Sequence, residues 1–249
     1  MTRHARDPRL AFTLIELLVV IAIIGILIGI TMPALSKARD SSRRTGCLNN
    51  LRSLGQATTM YMDQSSQGAF PLVEPIQDGG QVNPNNDVTL LSLLGDYVDA
   101  PTPRRDPSYP DPDTAPFLVE APYFCPGDDG RHTDRYWEQY GTSYYYTPGA
   151  VFQFTNLVYN MQISPRVVAR VWDLWKEKGK ELPFLVDACM LEDDPQAAFH
   201  PRTGGMGANA LYISDSRADW AEINMTQDTE LLVELFTDIV RLSGLPGAP

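Results

Sequence analysis

Cysteine is scarce in this chain. There are three, Cys47, Cys125 and Cys189, and no CxxC pair or Cys/His spacing suits a zinc centre. An odd count fits one disulfide plus one free thiol in an oxidising compartment. The expected pair is Cys47 with Cys125. Cys189 then stays reduced within the apolar stretch 184–191, where a small buried thiol is common. Three free thiols, in a poorly oxidising compartment, are the alternative. Nucleophile motifs are missing too: no G-x-S-x-G occurs, and His200 with Asp215 reads as turn chemistry rather than an acid–base pair, so no enzyme is expected. No EF-hand spacing is present, and no metal site is assigned. Basic residues are rare beyond the N-terminal fifth. Residues 1–52 hold eight Lys/Arg against three Asp/Glu, a net +5; the rest holds twelve against twenty-eight, a net −16. So acidic a remainder argues against general nucleic-acid binding, which relies on cations neutralising phosphates.

One long hydrophobic run is present, and the chain is organised around it. From Phe12 to Ile30 every residue is apolar except Thr13 and Glu16. That is about the 20 residues a helix needs to cross a ~30 Å hydrocarbon core. Arg3, Arg6 and Arg9 precede it, and Lys37, Arg39, Arg43 and Arg44 follow it, so charge alone does not orient the span. Glu16 is costly inside the run and calls for a partner. Ala11 is a small residue just before the apolar run begins, where a leader could be cut off. An ordinary secretory signal is cut after its apolar region; a cut before it leaves the helix on the mature chain, with a free amine at Phe12.

The stretch Ala11-Phe12-Thr13-Leu14-Ile15-Glu16-Leu17-Leu18-Val19-Val20 resembles the prepilin-type cleavage and methylation motif of type IV pilins and of the pseudopilins of type II secretion. The likeness continues to Arg39 and includes Pro33-Ala34-Leu35; Ala11 stands where the family usually has Gly. Shorter stretches resemble the large pseudopilin-like proteins of planctomycete-type bacteria: Cys47 to Gly55, Phe124 to Asp128, and Gly141 to Tyr144. So does a C-terminal hairpin at His200, Asn209, Leu211, Tyr212 and Asp215, with Ser216 in place of the usual Gly.

The resemblance implies a cytoplasmic leader over 1–11 and a transmembrane helix over 12–35. An amphipathic stalk helix over 36–64 and an exported globular head over 65–249 follow. The implied fold is α+β, with the long N-terminal helix packed on an antiparallel β-sheet. The implied partners are a prepilin peptidase that cuts after Ala11 and methylates Phe12, other pilin or pseudopilin subunits, the inner-membrane assembly machinery and membrane lipid. Glu16 would neutralise the Phe12 ammonium of a neighbouring subunit, since two charges in lipid are tolerated better as a pair. The implied place is the inner membrane, single-pass, with the head in the periplasm or at the cell surface. No cofactor is required. Some major pseudopilins bind calcium, for which Asp111/Asp113, Asp128/Asp129 and Asp193/Asp194 are the oxygen donors to consider.

Other elements follow from pattern. Pro33 removes a backbone donor inside the first helix, so a kink is expected there. Gly25 and Gly29 form a small-xxx-small spacing. Leu48, Leu51, Leu54, Thr58, Tyr61 and Met62 mark one apolar face of a helix continuing to about Asp63. A short helix is predicted over 87–97 with Asp87 as its N-cap, and a proline-studded surface loop over 101–122. Residues 143–159, aromatic and β-branched, read as strands. Tyr144, Tyr145 and Tyr146 also invite a second reading: a membrane-tethered, glycan-binding module of adhesin type. Further strands are predicted over 183–190 and 208–214. Helices are predicted from Ser164-Pro165 to about Lys178 and over 226–243.

Overall fold

The computed structural model describes residues 14–64, 66–73, 89–111, 114–130, 135–159, 163–188, 208–221 and 229–243. Contacts divide the chain into two units, Met1–Ser42 and Arg43–Pro249.

Helix α1 covers Leu14–Gln64 and contains Pro33. In the first unit its side chains are exposed throughout the described part, and none of its most apolar stretch is buried. In the second unit α1 becomes one-sided. Cys47, Leu51, Leu54, Gly55, Ala57 and Thr58 are buried, at the three- and four-residue spacing of a single helix face.

That face lies on a four-stranded antiparallel sheet with the order β3-β4-β5-β6. Its strands are β3 (Tyr144–Tyr146), β4 (Leu185–Asp187), β5 (Ala208–Tyr212) and β6 (Arg217–Ala221). A smaller pair, β1 (Arg104–Arg105) and β2 (Phe117–Leu118), is also antiparallel. The α+β class expected from the sequence is observed.

Alternation along the strands and the pairing register sort the sheet into two faces. Tyr144, Tyr146, Leu185, Asp187, Asn209, Leu211, Ala218 and Trp220 share the face toward α1. Tyr145, Val186, Ala210, Tyr212 and Ala221 form the cluster on the other. The α1 face has two rows. One is apolar, running through Tyr146, Leu185, Leu211 and Ala218. The other is polar, running through Tyr144, Asp187, Asn209 and Trp220.

Gly55 explains how close the helix comes to the apolar row. A Cβ at Gly55 would sit 2.8 Å from Leu211 Cδ1, closer than real Cβ contacts come, and 3.0 Å from Cδ2. A second close approach occurs at Gly46, whose Cβ position is 3.1 Å from Pro126 Cγ. The core continues as edge-to-face aromatic pairs: Phe70 with Trp172 (5.5 Å), Phe70 with Phe184 (5.1 Å) and Tyr146 with Phe184 (5.1 Å). Such pairs contribute about 0.5–1.5 kcal/mol each beyond their buried area.

Helix α5 (Pro165–Glu177) starts after Ser164 and ends before Gly179 at φ 73°, as its sequence signals predict. Helix α6 (Thr229–Leu242) packs against it. Asp238 Oδ2 there accepts from Trp175 Nε1 (2.9 Å) and from Lys178 Nζ (2.6 Å). Burial pushes Asp238 up, but these donors outweigh it and hold the carboxyl below its ordinary value.

Three readings are corrected. The helix expected over 87–97 begins at Leu90 as α2 (Leu90–Leu94), and its N-cap is Thr89, whose side chain accepts from Ser92 N, rather than Asp87. The loop over 101–122 is not wholly irregular. It carries the β1–β2 ladder, pinned by Arg105 Nη1 donating to Ala115 O (2.6 Å) and lying over the Phe117 ring at 4.3 Å. Residues 147–159 are helix α4 (Thr147–Tyr159), not strand. Thr147 N still donates to Phe184 O (3.1 Å), then Pro148 fits a helix's first turn, where no donor is needed. Val151, Phe152 and Thr155 take the buried side at helical spacing. A shorter α3 (Tyr136–Tyr140) precedes β3 and ends at Gly141, φ 77°.

The β6 edge is closed locally. Arg52 Nη2 on α1 donates to Ala218 O (3.2 Å), and Asp219 Oδ1 accepts from Trp220 N (2.7 Å).

Candidate functional site

Two regions carry the residues singled out above. The first is the apolar part of α1. Leu14, Ile15, Leu17, Leu18 and the apolar residues that follow to Leu35 expose large side chains without interruption. Soluble surfaces do not sustain apolar exposure of this extent. At 1.5 Å per residue the run Leu14 to Leu35 is about 33 Å long, enough to cross a hydrocarbon core. Glu16 lies in the first turn of α1, where the helix dipole favours an acid. Open space surrounds the Cβ positions of Gly25 and Gly29. Ala11 and Phe12 lie outside the described residues.

The prokaryotic N-terminal methylation motif matches residues 7–32. The chain carries a prepilin-type signal. This signal is the one shared by type IV pilins and pseudopilins, and it implies processing by a prepilin peptidase and assembly with other pilin-type subunits. With the exposed apolar helix, the prepilin-type signal indicates membrane anchoring and an exported head. No curated protein and no solved structure matches the chain.

The second region is the junction of α1 with the head, where the polar row lies. Cys47 and Cys125 are bonded, with Cα atoms 4.7 Å apart, and both are fully buried. Around the disulfide, Asn50 Nδ2 donates to Phe124 O (2.7 Å), Tyr144 OH to Cys47 O (3.4 Å) and Arg43 Nη1 to Asp129 Oδ2 (2.6 Å). Arg44 lies 5.2 Å over the Trp220 ring and donates from Nε to Asn209 Oδ1 (3.4 Å). Asn209 in turn donates to Asp187 Oδ2 from its backbone N (3.0 Å) and from Nδ2 (2.9 Å). Asp187 Oδ1 is buried with no hydrogen-bond partner among the described residues. Asp128 accepts from Ser143 Oγ (2.7 Å) and from the backbone N of Tyr136 and Trp137 (3.3 Å each), so it ties the disulfide turn to α3 and β3.

Burial pushes both carboxyls up, Asp187 to about 7 and Asp128 to about 6. The native state therefore binds protons the unfolded chain has already released, and stability falls as pH rises through 6–7. The expected result is a higher thermal midpoint for the full chain in detergent at pH 5 than at pH 8. The matching difference in unfolding free energy should be on the order of a few kcal/mol, and Asp187→Asn should flatten most of it. Asp106, held low by its Ser108 hydrogen bonds, and Glu234, held low by Lys180, act below this window. A midpoint that rises from pH 5 to pH 8 would contradict the assignment.

The aromatic triplet is core. Tyr144 and Tyr146 are each 3% exposed, so their ring faces are closed to a sugar, while Tyr145, on the opposite face of the sheet, is half-buried. Tyr146 OH donates to Pro71 O (2.8 Å). Asp128 and Asp129 engage protein donors, as above, and no metal-holding group of three or more His, Cys, Asp or Glu occurs among the described residues. Asp113, Cys189, Asp193, Asp194 and His200 lie outside the described residues. Sequence reasoning does not single out Asp187, and it takes Arg44 only as part of the basic flank, turned outward, whereas Arg44 is held on Asn209 and Trp220. The signal available was an acid set between Val186 and Ala188 in a strand otherwise read as buried.

Proposed function

We propose that this protein is a structural subunit, rather than a catalyst, of a type IV pilus-like or type II secretion pseudopilus filament. A prepilin peptidase cuts after Ala11 and methylates Phe12. The mature chain waits in the inner membrane as a single-pass protein with its head in the periplasm or at the cell surface, and the inner-membrane machinery adds it to the filament. The prepilin-type signal over residues 7–32 carries this reading. The long exposed apolar helix supports it, because such a surface needs either lipid or other helices around it.

In this scheme Glu16 neutralises the Phe12 ammonium of the next subunit. Mass spectrometry of the native N-terminus is expected to find N-methylated Phe12; recovery of Met1, or of a terminus after Ile30, would refute the processing step. Glu16→Ala should still insert and be cut, because removing a carboxylate from lipid eases insertion. Its incorporation into labelled surface filaments, counted by electron microscopy, should fall at least tenfold. Normal incorporation would refute the role of Glu16.

A further inference from the structure

The basic residues that follow the apolar run are not used alike. Arg43 pairs with Asp129, and Arg44 is held by Asn209 and Trp220. Lys37 and Arg39 are exposed and have no side-chain partner among the described residues. They stand within a helical turn of Leu35, the last exposed apolar residue of the run, so they fall where a bilayer's hydrocarbon gives way to its headgroups. Two residues apart on a helix, they point about 200° away from each other. A single protein surface cannot receive both. A plane of headgroups surrounding the helix can, and the long aliphatic stems of Lys and Arg suit that boundary.

We propose that Lys37 and Arg39 bind the phosphates of anionic phospholipids on the exported face of the membrane and hold the unassembled subunit there. The proposal rests on the reading of an exported head. Each cation at an anionic surface changes partitioning roughly fivefold, so the pair is worth on the order of 25-fold. A subunit leaving the bilayer for a filament breaks both contacts, and the anionic lipid content of the membrane then sets how readily the pool is drawn on.

The test uses the full chain in nanodiscs of phosphatidylcholine with phosphatidylglycerol, and native mass spectrometry to count the lipids retained. Wild type is expected to be enriched in phosphatidylglycerol. K37Q/R39Q should lose about tenfold or more of that enrichment, with the leader arginines contributing equally to both proteins. Arg166→Gln, which removes an exposed head cation bonded to Gln67 (2.8 Å), should match wild type. Equal enrichment in wild type and K37Q/R39Q would overturn the proposal. So would displacement of the lipid by inorganic phosphate, which would make the pair a site for a free anion. Leader removal and filament incorporation are read separately, so either reading can fail without the other.

Discussion

Replacing both Cys47 and Cys125 with Ala is expected to cost the head about 4 kcal/mol. The bond spans 78 residues of sequence, and closing a loop of that length removes about that much chain entropy from the unfolded state. The two sulfurs are fully buried and lie beside the Gly46–Pro126 contact, so the bridge fastens the segment around Phe124 to α1 where Asn50 and Arg43 also grip it. Urea unfolding of the full chain in detergent, followed by fluorescence of its four tryptophans, checks the size. Dithiothreitol alone should leave the native bond intact and cleave it once denaturant is added. Reduction of the folded protein at the rate of an exposed disulfide would contradict this burial.

Gly55→Val should cost about 2 kcal/mol net. Two effects compete at this position. A helix-interior glycine is unfavourable by about 1 kcal/mol relative to alanine, so substitution gains propensity. Against that, the new Cβ meets Leu211 at 2.8 Å, and Leu211 is fully buried between β4 and β6, with little room to turn aside. Overpacking of this kind costs about 1–3 kcal/mol, with a branched side chain at the upper end. Gly55→Ala should therefore lose less than Gly55→Val. Pairing Gly55→Ala with Leu211→Ala should cost less than the two single changes added together, because they share one contact. Additive losses would place the effect elsewhere.

Much of this arrangement is written locally. The one-sided face of α1 beyond Arg43, the Ser164-Pro165 start and Gly179 stop of α5, and the strand at 208–212 all follow from spacing and punctuation within a few residues. What the local pattern misses is long-range. Residues 143–159 have strand composition, yet β3 stops at Tyr146 and Thr147 opens α4 while its N still donates to Phe184 O, a residue remote in sequence. Gly55 looks like a blemish in a helix until Leu211 is placed over it. The polar row exists because register sets Tyr144 beside Asp187, and Asn209 beside Trp220, four residues from four strands. Ser216 lies between these cases. Its place in the hairpin suggests a residue at positive φ, and it adopts φ 52°, a conformation that glycine reaches at lower cost.

The closed edge of β6 bears on crowding. In the proposed assembly scheme, subunits waiting in one membrane carry their heads on the same side of it. A sheet edge with free carbonyl and amide groups would let neighbouring heads zip together irreversibly. Arg52 occupies one of those groups at Ala218 and Asp219 another at Trp220. Through Arg52, α1 thus covers part of the β6 edge. In that scheme a head that meets its neighbour at this edge finds these two groups already taken.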